Sequence, residues 1–389
     1  MIVGVLKEPI SGEKRVAATP ESVKQLITSG LKVTVQKGAG VAAGYADADY
    51  KSAGATVAPS VDVAKLDVLT HVRPLAPATI KKLKKGTITV GLGSPASETA
   101  AVIALRDQGV TSFALELVPR ISRAQSMDAL TSQALVAGYR CVLEAGMRLP
   151  RFFPLYMTAA GTVPPATVLV LGAGVAGLQA IATAKHLGAK VNAYDVRSAS
   201  GDEVRSMGGT FIELELDAAA DGAGGYAKEL GADRVKRQQE LLTPFVSAAD
   251  VIITTAAIPG RPAPRLITAA MMKDMKPGSV IIDLAAESGG NVEGSKPGVD
   301  VSVPVGKSGG AITLVGMKDV PSTMAYDASR LYAKNVSNLL GLMTDAKAVK
   351  PDFEDEVVAG ACLTHAGEIR HEPTAEAISQ SKAAKKGTK

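Results

Sequence analysis

A chain of 389 residues with 46% hydrophobic content is long enough to build two domain cores. Its apolar runs are short and broken by glycine, as in VLVLGAGVAG (168–177), which excludes a helix of the ~20 apolar residues a bilayer span needs. The net charge of +5 is dispersed apart from KKLKK (81–85) and the tail 381–389, and with 4% aromatics and no Trp it excludes the basic, stacking surface of a nucleic-acid binder.

From the N-terminus, MIVGVLKE reads as a strand. It has no basic leader and reaches a charge at Lys7, so the protein is placed in the cytoplasm. A helix follows behind Thr19 (PESVKQLITSG), then the strands KVTVQ, DVLT, TITVG and TSFALEL alternate with helical patterns over 77–85 and 97–109. Cys141 falls in a long helical pattern over 127–149 that stops at Pro150. A second alternation begins at 166 with ATVLVLGAG and runs through KVNAYD, TFIELEL, ADVIITTA, SVIIDLA and AITLVG. Another long helix, over 323–343, follows it. Alternating strands and helices mean mostly parallel sheets covered on both faces. The expected architecture is therefore α/β, two doubly wound Rossmann-like domains with a cleft between them, joined by two long helices. The first domain takes 1–130 and 325–378 and the second 131–324, leaving 379–389 as a disordered basic tail. Cys141 and Cys362 are too few for a disulfide framework and have no metal-ligand spacing, so no metal site is expected.

The clearest chemistry lies at 168–197. Gly172, Gly174 and Gly177 form G-x-G-x-x-G between a β-rich run and a helical one, and Asp195 lies 18 positions beyond the last glycine. In such a turn the first glycine permits the bend, the second lets backbone approach a pyrophosphate, and the third allows close helix–strand packing. The helix N-terminus then faces the phosphates with unpaired N–H groups. Asp195 is placed to accept from an adenosine ribose and to repel a 2′-phosphate, which favours NAD over NADP, with Arg197 nearby as the complication. The site extends to Val175 and Ala176 in the turn and to Val196 beside Asp195.

Ligands of open α/β sheets sit beyond the carboxyl ends of strands, which nominates two further loops. In TTAAIPGRPAP (254–264) Thr255, Ala256 and Ala257 allow close approach; in the second, Leu284 leads into AAESGGN (285–291), where Glu287 can receive a ribose hydroxyl. Both also read as ordinary polar turns. DGAGGYAKEL (221–230) is either a plain linker or a flap carrying Tyr226 over the cofactor. No hydrolase constellation occurs: G-x-S-x-G is absent, and the histidines at 71, 186, 365 and 371 are scattered. Of these, His71 beside Arg73 at a strand end is the one weighed for catalysis, against a turn-capping role.

These residues resemble a known family. PRISRAQSMDALTSQ (119–133), MTAAGTVPPATVLVLGAGVAGLQAIATAKHLGA (157–189), GGYAKE (224–229) and MKPGSVIIDLAAESGGN (275–291) are similar to the NAD(H)-binding subunit of the proton-translocating NAD(P) transhydrogenases. The likeness runs from KEPISGEKRVAATPE (7–21) to DFEDEVVAGACLT (352–364). It implies NAD(H) on this chain, NADP(H) on a separate partner subunit, and direct hydride transfer between them. It also implies a homodimer docked on membrane-embedded proton-conducting subunits at the cytoplasmic face. The family's nicotinamide-contacting loop maps onto Arg120, Gln125 and Asp128, and its next hydroxyl position is Thr131.

Alanine dehydrogenases share the N-terminal pattern, present here with Arg15, and give the alternative reading of an amino-acid oxidoreductase. In that family a lysine and a histidine act at the substrate nitrogen. The corresponding segments here, DVLTHVRP and ITVGLGSP, hold no lysine and no histidine in those roles. Hydride exchange between two nicotinamides needs positioning rather than a proton-transfer group. A third reading, a non-catalytic NAD-sensing subunit, draws only on the sparseness of catalytic groups.

Overall fold

The computed structural model describes residues 1–214, 231–258, 261–306 and 309–386. The chain divides into two compact units, Met1–Gln133 with Pro321–Lys389 and Ala134–Val320. One crossing point lies inside the helix Ala129–Arg148; the other precedes the helix Ala325–Leu342, which belongs wholly to the first unit.

The first unit opens with six parallel strands: β1 (Ile2–Val5), β2 (Lys32–Gln36), β3 (Thr56–Ala58), β4 (Val68–Thr70), β5 (Ile88–Gly91) and β6 (Thr111–Ala114). They lie side by side as β3-β2-β1-β4-β5-β6, with Val3 level with Val33 and Val68. β4, β5 and β6 are buried throughout, as continuous apolar strands of a parallel sheet covered on both faces should be. The helix Ala325–Leu342 buries Ala325, Ala328, Tyr332, Val336 and Leu339, three to four residues apart and hence on one face. Its Tyr332 hydroxyl donates to the His71 carbonyl at 2.8 Å and accepts the Leu92 N–H at 3.1 Å, tying the helix to the ends of β4 and β5.

The second unit contains a hairpin, β7 (Tyr156–Thr158) and β8 (Gly161–Val163), that the sequence patterns did not reveal. Its main sheet comprises β9 (Thr167–Leu171), β10 (Lys190–Tyr194), β11 (Thr210–Phe211), β12 (Val251–Thr254), β13 (Val280–Asp283), β14 (Asp300–Val305) and β15 (Gly310–Gly316). The order is β11-β10-β9-β12-β13-β15-β14, parallel except for β14, an edge strand whose burial alternates and which accommodates Pro304. Val168 and Val170 of β9 face one apolar layer while Leu169 and Leu171 face the other. Strand order reverses at β9, flanked by β10 and β12, which makes the ends of those strands the ligand-binding switch point.

After the short ribbon β16 (Thr344–Asp345) and β17 (Ala348–Val349), the chain adds β18 (Cys362–His365) antiparallel to β6, and β19 (Glu368–Ile369) outside it. The last helix, Glu372–Lys386, takes in residues 379–386 of the expected basic tail, and 387–389 lie outside the described residues. Cys141 and Cys362 are both free thiols, 0% and 1% exposed, and burial pushes each thiol up to about 12. Among the described residues no helix is long and apolar enough to cross a membrane, and no cluster of side chains has the makings of a metal site.

Candidate functional site

The glycine turn leaves β9 at Gly172, whose φ of +102° suits only a residue without Cβ. A Cβ at Gly177 would stand 1.8 Å from the Gly172 carbonyl oxygen, so the first turn of the helix Val175–His186 packs directly on the bend. The Thr255 hydroxyl donates to that same carbonyl at 3.0 Å, coupling the loop after β12 to the turn. Gly174, the helix N-cap, differs: a Cβ there would meet no protein atom within 4 Å. No protein neighbour accounts for the missing side chain at this exposed position, whereas backbone approach by a pyrophosphate does. Val175 is exposed and Ala176 half-buried beside it, both at the helix N-terminus where N–H groups lack intrahelical partners. The turn therefore fits a dinucleotide.

Asp195 follows the last residue of β10. One carboxylate oxygen accepts the Ala173 N–H of the glycine turn at 2.7 Å and Arg197 Nη2 at 3.0 Å; the other accepts the Arg197 N–H and Nε, each at 2.9 Å. Asp195, Val196 and Arg197 are all half-buried, and Val196 packs on the apolar layer beneath.

The two loops nominated beyond β12 and β13 are joined by residues that the sequence patterns did not single out. Buried Asp283, ending β13, accepts from the Thr254 hydroxyl and from the N–H groups of Ala285, Asn291 and Val292. Asn291 Nδ2 in turn donates to the carbonyls of Ala256 and Pro264, at 2.9 and 2.8 Å. The acid at the end of VIID was the available signal, since it repeats the strand-end placement of Asp195. Ala257 is exposed and Leu284 half-buried, with its N–H on the Thr254 carbonyl. Glu287 is exposed, and its carboxylate accepts the Asp319 N–H at 2.9 Å, a structural contact within this unit. Tyr226, expected on a flap, lies outside the described residues.

In the first unit, the loop 119–128 is held from beneath. Ala124 and Met127 are buried, and the Ser126 carbonyl accepts from Asn335 Nδ2 at 2.9 Å and Asn338 Nδ2 at 3.0 Å. Arg123 grips Asp355 with two nitrogens, at 2.8 and 2.9 Å, and reaches Glu356 at 3.3 Å. Arg120 and Gln125 are exposed, and the Gln125 side chain makes no hydrogen bond to the described residues. Asp128 accepts the Thr131 N–H at 2.9 Å and the Thr131 hydroxyl at 2.6 Å, capping the helix that starts at Ala129. The Thr131 hydroxyl is thus occupied by the cap.

The corresponding switch point of the first unit, β1 beside β4, is filled by the protein's own charges. Glu13 Oε1 accepts Arg15 Nε at 2.8 Å, while Oε2 accepts Arg15 Nη2 and Arg73 Nε, both at 2.7 Å. Arg15 Nη1 also donates to Gln133 at 2.9 Å, and Arg15 is 4% exposed. Burial alone would raise the Glu13 carboxyl, but the Arg15 hydrogen bonds and charge, with that of Arg73, outweigh it and hold the group at about 2. His71 is buried with Nδ1 on the Arg73 carbonyl at 2.7 Å, and burial lowers it to about 4. It is a neutral ring at neutral pH, so it is no proton donor there.

Glu8, accepting from the N–H groups of Val72 and Arg73, is raised by burial from 4.5 to about 7, with those two bonds opposing the shift. The folded state therefore holds this proton more tightly than the unfolded chain. Its stabilising contribution is full below about pH 4.5 and is lost as pH rises through about 7. The thermal midpoint is expected to decline between about pH 5 and pH 8, and Glu8→Gln to flatten that decline; parallel profiles for the two proteins would refute the assignment.

Residues 4–137 match the family described as alanine dehydrogenase/PNT, N-terminal domain, and residues 141–372 match alanine dehydrogenase/PNT, C-terminal domain. The chain is 47% identical over 382 residues to the first polypeptide of the NAD(P) transhydrogenase alpha subunit of Rhodospirillum rubrum, across 95% of this chain and 98% of that protein. It is 34% identical over 298 residues to the alanine dehydrogenase of Bacillus subtilis, across 75% and 72% of the two chains. Among solved structures, a transhydrogenase from Sinorhizobium meliloti superposes with a TM-score of 0.82 at 41% identity, covering 95% of this chain and 98% of that one. An L-alanine dehydrogenase superposes with a TM-score of 0.77 at 25% identity, covering 98% and 99%.

Proposed function

The chain belongs to the alanine dehydrogenase/PNT family, and from that premise we propose that it is the NAD(H)-binding component of a proton-translocating NAD(P) transhydrogenase. In this reading NAD(H) sits on the second unit and NADP(H) on a partner subunit. The chain works as a homodimer at the cytoplasmic face of membrane-embedded subunits that move the proton. The observation that carries the cofactor assignment is the glycine turn, where Gly172 and Gly177 are required by the fold and Gly174 is bare on its exposed side.

The nicotinamide, when bound, supplies the C4 carbon that gives or takes hydride. The protein's own part is placement. Gly174 and the N–H groups around Val175, Ala176 and Gly177 hold the pyrophosphate. Asp195, Val196 and Arg197 surround the adenosine ribose, and Thr255, Ala256, Ala257, Leu284 and Glu287 line the remainder. By the family resemblance Arg120 and Asp128 orient the carboxamide, Gln125 reaches the nicotinamide ribose, and Thr131 supports Asp128.

Two features favour this over alanine oxidation. The arginine that would receive a substrate carboxylate, Arg15, is buried against Glu13 and Gln133. The one histidine near the strand ends of the first unit that was weighed for catalysis, His71, is buried and neutral. The deciding experiment mixes the purified chain with an NADP(H)-binding transhydrogenase domain and follows reduction of a nicotinamide analogue by its absorbance. Turnover is expected with the partner and not without it. NADH formation from L-alanine by the chain alone would establish the dehydrogenase instead, and tight NADH binding without transfer would establish a sensing subunit.

A further inference from the structure

A line of four hydrogen bonds crosses the interior of the first unit, from its buried charge cluster to the loop 119–128. Arg15 Nη1 donates to Gln133 Oε1 at 2.9 Å and Gln133 Nε2 to Ser132 Oγ at 3.2 Å. The Ser132 hydroxyl then donates to Asn335 Oδ1 at 2.7 Å, and Asn335 Nδ2 to the Ser126 carbonyl at 2.9 Å. Every donor lies on the Arg15 side, and Arg15, Gln133 and Asn335 are buried. This common direction follows from the first member. A guanidinium has donors only, so it admits the Gln133 amide in one orientation, with its oxygen toward Arg15. The Gln133 NH2 is left to face Ser132 and the Ala328 carbonyl, the latter at 3.1 Å. The Ser132 hydroxyl has one proton, and Asn335 Oδ1 at 2.7 Å takes it ahead of the Ala129 carbonyl at 3.2 Å. Reversing the Gln133 amide would set its NH2 against a cation; reversing that of Asn335 would set two oxygens face to face. Glu13 holds Arg15 itself in place through Nε and Nη2.

We propose that Gln133, Ser132 and Asn335 are positioning residues for hydride transfer: they carry the orientation that Arg15 imposes to the Ser126 peptide, and so fix where the neighbouring Gln125 side chain stands. The inference rests on the transhydrogenase reading, in which Gln125 reaches the nicotinamide ribose. Between buried Ala124 and Met127 the backbone is free only to tilt, and the Ser126 carbonyl sets that tilt. Its two lone pairs take Asn335 Nδ2 and, at 3.0 Å, Asn338 Nδ2. Bonds aligned head to tail in a low dielectric polarise one another, so a break near Arg15 weakens the bond at Ser126.

The test uses the full chain with an NADP(H)-binding transhydrogenase domain, and sets the transfer rate at saturating nucleotide beside an NADH titration and thermal unfolding. Ser132→Ala cuts the line at its middle, where the side chain is half-buried. Transfer is expected to fall about tenfold, a part of what a displacement of about 1 Å costs, while NADH affinity stays within about twofold. Ser132→Thr, which returns the hydroxyl, should restore the rate. Gln133→Glu keeps an acceptor for Arg15 but offers Ser132 no donor, and should give the same loss; joined to Ser132→Ala it should add nothing, because a line already cut is not cut again. An unchanged rate in Ser132→Ala, or in Gln133→Glu should the alanine variant not fold, overturns the assignment. So do a loss recovered by more NADH and losses that multiply in the double variant. No transfer by the unaltered chain with the partner domain present overturns the transhydrogenase reading instead.

Discussion

If Gln125 positions the nicotinamide as proposed, Gln125→Asn is expected to slow hydride transfer by about 100-fold while NADH affinity changes little, the size of effect that a displacement of about 1 Å at a reacting centre produces. The expectation follows from how the loop is built. The contacts that fix its path lie elsewhere: the Ser126 carbonyl on Asn335 and Asn338, Arg123 on Asp355, and Ala124 and Met127 in the core. The Gln125 side chain is exposed and bonded to no described residue, so shortening it by one methylene leaves the fold intact and moves only what the amide reaches. Stopped-flow transfer with an NADP(H)-binding partner domain, set beside an NADH titration, separates the two effects. Rate and affinity falling together would mean that Gln125 holds the dinucleotide as a whole.

Glu13→Gln is expected to cost the first unit about 3–5 kcal/mol, lowering its thermal midpoint by roughly 10 °C. The substitution keeps the volume but leaves Arg15, 4% exposed, without the carboxylate that takes its Nε and Nη2. Arg73, with its side chain 26% exposed, can turn to water; Arg15 cannot. Combining Glu13→Gln with Arg15→Met should recover part of the loss, because removing both charges abolishes the uncompensated one. A single-variant loss below about 1 kcal/mol, or no recovery in the pair, would show that water reaches Arg15 and that the site is open. Because Glu13 is held at about 2, its contribution is present above about pH 4.5 and fades only as pH falls through that low value.

Every parallel strand except the short edge strand β3, and both long helices, were legible in the sequence because their signals are local: unbroken β-branched runs such as VIIT and VIID, and apolar residues recurring every three to four positions over 325–342. The hairpin 156–163, the edge strand Asp300–Val305 and the antiparallel addition of Cys362–His365 to β6 were not. The first is exposed except at half-buried Val163 and so has no apolar alternation, and the third depends on a partner some 250 residues away, Thr364 level with Ser112. The glycine turn was readable at the level of single residues, as each glycine has its own geometric reason. The Asp283–Asn291 brace and the Glu13–Arg15–Arg73 cluster were not, because spacing along a chain says nothing of which carboxylate meets which donor. Asp128 shows the middle case: the family resemblance marked its position, and the structure adds that it caps the helix starting at Ala129 and occupies the Thr131 hydroxyl.

The burial of both native thiols has a use in labelling chemistry. Cys141 and Cys362 are enclosed and stay protonated at neutral pH, so thiol-reactive dyes find no thiolate on the native chain. A cysteine placed at exposed Ser122 would then be the one position such a dye modifies, with no native cysteine to be removed first. A fluorophore there sits three residues from Gln125, on a loop whose backbone is clamped to its own unit.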